Sequence, residues 1–86
     1  MKVYWSQNTF NYLDPLDNKT KLQVRSIFHS KISYNPKRFP KREIEGEIVR
    51  LCMLTPLPFV VIFKLDIPNR TCNVLRVFHN RQIIRL

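Results

Sequence analysis

The sequence predicts an α+β domain: an N-terminal strand, a helical hairpin, then an antiparallel three-strand meander, in the order β-α-α-β-β-β. Three observations carry that expectation. Val24, Ile27, Phe28 and Ile32 recur at helical spacing within 19–33, which gives a helix one apolar stripe. From Glu43 onward the pattern changes to alternation, the period of a strand. Two β-rich runs, 59–65 and 72–78, flank a turn built on Asp66, Pro68 and Asn69, residues that favour chain reversal.

Each element has its own local reason. Residues 2–5 suit a short strand with Val3 and Trp5 on one face. Ser6 is placed to cap a following helix over 7–13, on which Phe10 and Leu13 share a face. Asp14-Pro15 ends that helix, because proline disfavours helical geometry in the residue before it. Asp17 or Asn18 can cap the second helix over 19–33, with Lys21, Arg25 and Lys31 off its apolar stripe. The segment 34–42 holds Asn35-Pro36 and Phe39-Pro40, which make it a loop, and it carries the cations Lys37, Arg38, Lys41 and Arg42. The run containing Ile44, Ile48 and 49–54 reads as the first meander strand, and residues 55–58 turn the chain into the two β-rich runs. Short connections between successive strands favour antiparallel pairing, with the two helices covering one face.

Composition narrows the function. The chain has 86 residues and a formal charge of +9, so it is expected to form one domain, 1–86, with a single modest core. Fifteen Lys and Arg stand against six Asp and Glu. Arg50, Lys64, Arg70, Arg76, Arg81 and Arg85 punctuate the second half, and Glu43, Glu45 and Glu47 form a local acidic cluster. Such an excess repels itself, and a counter-charged partner, nucleic acid or acidic polypeptide, relieves it. Gly46 is the only glycine, which excludes a phosphate-cradling glycine loop. No cofactor and no metal site are expected, and Cys52 and Cys72 read as packed thiols within apolar runs. The longest apolar stretch is too short to span a bilayer. Residues 1–10 pass directly into a polar segment without a signal-peptide run, so a cytoplasmic protein without a membrane partner is expected.

With that element order, the chain resembles the RelE/ParE superfamily of bacterial toxin–antitoxin toxins along nearly its whole length. The resemblance is carried by the opening Met1-Lys2-Val3-Tyr4-Trp5-Ser6, by the helix pair with its basic loop ending near Pro36 or Pro40, and by three strand motifs. These are Val49-Arg50-Leu51, the run from Pro58 to Phe63, and the run from Val74 to Arg81. It implies a growth-inhibiting toxin held in a hetero-oligomer by a cognate acidic antitoxin. RelE-like and YoeB-like members cut mRNA on the ribosome; ParE-like members poison DNA gyrase. The nuclease branch places an arginine after the aromatic residue of the third strand, where this chain has Val60, and Asn80 stands where several nucleases have a terminal tyrosine. Valine cannot stabilise the charge of a pentacovalent phosphate, so gyrase is the preferred target and ribosome-bound mRNA the alternative. A nontoxic basic binding protein of the same fold is a third reading.

The candidate site residues are His79, Arg81 and Arg50, expected to gather on the open face of the sheet. His79 matches the histidine of the YoeB-like ending and of the His-x-Arg ending common in ParE-like members. Histidine suits general acid work near neutral pH, and guanidinium groups bind phosphate while staying charged. Glu43, Glu45 or Glu47 would serve as base if the chain cuts RNA. His29, beside the helical stripe, is expected to have no chemical role, and Trp5 and Phe10 are expected in the core.

Overall fold

In a computed structural model of the chain, residues 1–82 are described; Arg85 and its neighbours in 83–86 lie outside the described residues. The order is β1 (Lys2–Trp5), α1 (Gln7–Leu13), α2 (Asn18–Tyr34), a 3₁₀ turn (Pro36–Arg38), β2 (Lys41–Ile44), β3 (Glu47–Met53), β4 (Phe59–Asp66) and β5 (Thr71–His79). The α+β class is as expected. The three-strand meander is corrected to four strands, and with β1 they form a five-stranded sheet of order β1-β5-β4-β3-β2. The additional strand is β2, which takes Lys41 and Arg42 out of the expected loop and pairs antiparallel with β3. Glu45 (φ 51°) and Gly46 (φ 82°) form the link, the positive φ at both positions that a type I′ hairpin turn needs. β1 runs parallel to β5, and β4 pairs antiparallel with both β3 and β5.

α1 begins as its cap dictates. Ser6 Oγ accepts from Thr9 N at 3.2 Å and donates to Leu75 O at 2.6 Å, so one hydroxyl starts α1 and fastens it to β5. α1 buries Thr9 and Leu13. Phe10 is only half-buried, contrary to its expected core position, and lies under the Arg25 guanidinium, 5.4 Å from its ring centroid. Asp17 precedes α2 in extended geometry, and its carboxylate accepts from the Thr20 hydroxyl.

α2 buries Val24, Phe28 and Ile32 against the sheet. Phe28 is fully buried. It packs edge-on against Phe63 at 5.4 Å and Trp5 at 5.5 Å, within the cluster that also holds Val61, Val74 and Cys52. A second cluster, Ile44, Val49, Ile62 and Phe78, occupies the opposite face, because strand side chains alternate. Between Ile62 and Phe63 the register slips: Ile62 faces Arg76 and Phe63 faces Val74, leaving Leu75 as the extra residue of a β-bulge. No helix among the described residues is long and apolar enough to cross a membrane.

Candidate functional site

The C-terminal end of β5 is where polar side chains from distant segments converge. His79 closes the strand rather than following it. It lies opposite Phe59, and the two rings meet edge-on at 6.1 Å. Backbone geometry then folds the next residues back. Asn80 N donates to Pro58 O at 2.8 Å, and Gln82 N donates to His79 O at 2.9 Å. The Gln82 side-chain carbonyl accepts from His79 N at 2.8 Å and from Tyr12 Oη at 3.3 Å. Tyr12 thus joins the corner from α1, where its ring also meets Phe59 at 6.3 Å. Burial raises the Tyr12 phenol above its ordinary range, and the backbone of His79 partly opposes that rise. A cleft beside this corner is lined by Asn8, Asn11, Tyr12, Arg76, Val77, Phe78 and Gln82.

The imidazole of His79 is held by its own turn. Arg81 N donates to His79 Nδ1 at 3.2 Å. That bond occupies Nδ1 and leaves Nε2 as the ring nitrogen for a further partner. Arg81 is exposed and follows the same turn. His79 and Arg81 are therefore together, as the sequence suggested.

Arg50 is not with them. It pairs with Phe63, whereas His79 pairs with Phe59. Four residues of β4 separate the two levels, about 13 Å at strand rise, with a strand between. One nitrogen of the guanidinium is also committed. Arg50 Nη1 donates to Lys37 O at 2.9 Å and Phe39 O at 2.8 Å, clamping the basic loop to the sheet. Nor do Arg50 and His79 share an open face. Their partners Phe63 and Phe59 belong to the cluster beneath the helices, and antiparallel partners project to the same side. The expected Arg50–His79–Arg81 trio on the open face is corrected accordingly. Alternation along β3 identified Arg50 as a projecting residue, but only the register shows what it reaches.

The candidate bases are farther away. Glu47 begins β3, three residues before Arg50 on the side away from His79, and forms an ion pair with Lys64. Glu43 lies in β2, and Glu45 forms the hairpin turn. Val60, buried on β4, stands opposite Phe78 and Met53. His29 is exposed and lines a shallow groove with Val3, Trp5 and Arg25. Cys52 and Cys72 are free and buried, and burial pushes their thiols up to about 11 and about 12. Tyr12 was missed by sequence reasoning. The available signal was that Tyr12 follows Asn8 by one helical turn on a helix next to the last strand.

Comparison with known proteins finds no matching family model, no similar curated protein and no similar solved structure.

Proposed function

We propose that this chain is the toxin of a type II toxin–antitoxin pair and that it acts by binding, with DNA gyrase as its target in the manner of ParE-like proteins. The RelE/ParE-like plan would carry one strand beyond β-α-α-β-β-β. One observation carries the choice of binding over cleavage. The groups a nuclease would need are dispersed, with Arg50 tied through Nη1 to loop carbonyls at one level of the sheet and His79 held at another. RNA cleavage requires an acid, a base and a charge-stabilising group around one phosphate, and the glutamates lie beyond Arg50. Binding has no such requirement. The formal charge of +9 suits an acidic antitoxin whose disordered segment folds on this surface.

A second reading, a ribosome-dependent mRNA endonuclease, is favoured by the grouping of His79, Arg81 and Tyr12 at one corner. Labelled thymidine and methionine incorporation after induction in bacteria separates the readings. Gyrase poisoning stops thymidine incorporation first, and mRNA cleavage stops methionine first. Unimpaired growth would leave the third reading, a nontoxic basic binding protein.

A further inference from the structure

The basic loop after α2 carries a stacked arrangement that the proposed toxin chemistry does not use. Tyr34, at the end of α2, is 85% exposed. The Arg38 guanidinium lies 5.9 Å from its ring centroid and 4.7 Å from that of Phe39. Phe39 in turn packs edge-on against Phe63 at 5.8 Å, which roots the stack in the core. The backbone beneath it is fixed by the two Arg50 hydrogen bonds to Lys37 O and Phe39 O. An exposed aromatic side chain thus stands beside a loop that hydrogen bonds tie to the sheet.

Cations surround it. Lys37 and Arg38 are exposed in the turn, and Lys41 opens β2 beside it. Lys31 lies one helical turn before Tyr34. Among the described residues none of these four cations forms an ion pair.

We propose that the Tyr34–Arg38–Phe39 platform binds single-stranded nucleic acid, with a base stacked on the free face of Tyr34 and phosphates held by Lys31, Lys37, Arg38 and Lys41. Every base has a π face, so stacking on tyrosine tolerates sequence. The cations supply the salt-dependent attraction to the backbone. A duplex hides its base faces and gains only the second of these. The inference stands on the loop geometry and does not depend on the choice of toxin target.

The test is fluorescence anisotropy of the full chain with a short labelled single-stranded oligonucleotide of mixed sequence, and with the same sequence as duplex. Single strands should bind more tightly. Tyr34→Ala should weaken single-strand binding by about 5- to 150-fold, the loss of one stacked base, with the salt slope unchanged. Tyr34→Trp should restore it. Lys37→Gln should lower the salt slope by about 0.7, the loss of one phosphate contact on a single strand. Arg70→Gln, an exposed cation in the β4–β5 turn, should change affinity less than Lys37→Gln. The proposal is overturned if duplex binds as tightly as single strand or if Tyr34→Ala leaves affinity unchanged. It is also overturned if polyglutamate competes as well as unlabelled oligonucleotide, which would assign the surface to an acidic protein.

Discussion

Replacing Arg50 by methionine removes the guanidinium and keeps most of the apolar stem. Two hydrogen bonds are lost, to Lys37 O at 2.9 Å and to Phe39 O at 2.8 Å. A bond from a charged donor is worth about 1.5–3 kcal/mol. The bond to Lys37 O is exposed, and water replaces much of it; the bond to Phe39 O is partly buried and carries most of the loss. The expected cost is therefore about 1.5–2.5 kcal/mol in total. A domain of this size has roughly 4–13 kcal/mol of stability, so this is a large fraction. At about 4–8 °C per kcal/mol, Tm should fall by roughly 6–20 °C in a circular dichroism melt. Hydrogen exchange in 36–42 should quicken, and, if the chain is a toxin as proposed, growth inhibition should persist at a temperature where the variant is folded. If Arg50→Met melts with the wild type yet abolishes growth inhibition, Arg50 acts at the target and the clamp is not its role.

Three further outcomes are expected. Phe28→Ala should cost about 3–5 kcal/mol, because the ring is fully buried between Trp5 and Phe63; a melting curve that overlays the wild type would remove Phe28 from the core. The thiols of Cys52 and Cys72 are raised from 9.0 to about 11 and about 12, so the unfolded chain releases their protons first as pH rises. Stability should therefore decline from about pH 9 upward, and Cys72→Val should flatten that decline in urea titrations at a series of pH values. His79→Ala should leave growth inhibition largely intact if the chain binds gyrase, whereas a loss of 10²–10⁴-fold in mRNA cutting, the usual effect of removing a general acid, would show by primer extension if it is a nuclease.

Much of the frame was legible because it is locally encoded. The stripe Val24, Phe28 and Ile32 announces α2 and its buried face, and Ser6 announces α1 through its own hydroxyl. β2 was not legible. Its residues Lys41, Arg42 and Glu43 are exposed and charged, as befits an edge strand, and Glu45-Gly46 is a weaker turn signal than Asn-Gly. Which strand residues meet Phe28 was not legible either. Val74 shares its cluster, but Ile62 lies in the cluster on the opposite face, because alternation in a continuous apolar strand does not say which residues face the helices.

The site divides in the same way. His79 and Arg81 were found together because a two-residue turn joins them. Tyr12 and Gln82 are 70 residues apart in sequence, and their contact depends on how α1 crosses the end of β5. Arg50 was grouped with His79 because both project from strands. Only the pairing of β3 and β5 through β4 sets them at different levels.

Supercoiling of relaxed plasmid by purified gyrase, in the presence of the purified chain, tests the central proposal most directly. Binding and poisoning predict that supercoiling fails as the chain is titrated, that His79→Ala inhibits nearly as well as the wild type, and that a cognate acidic antitoxin restores activity. Full supercoiling at saturating, folded protein would contradict the account.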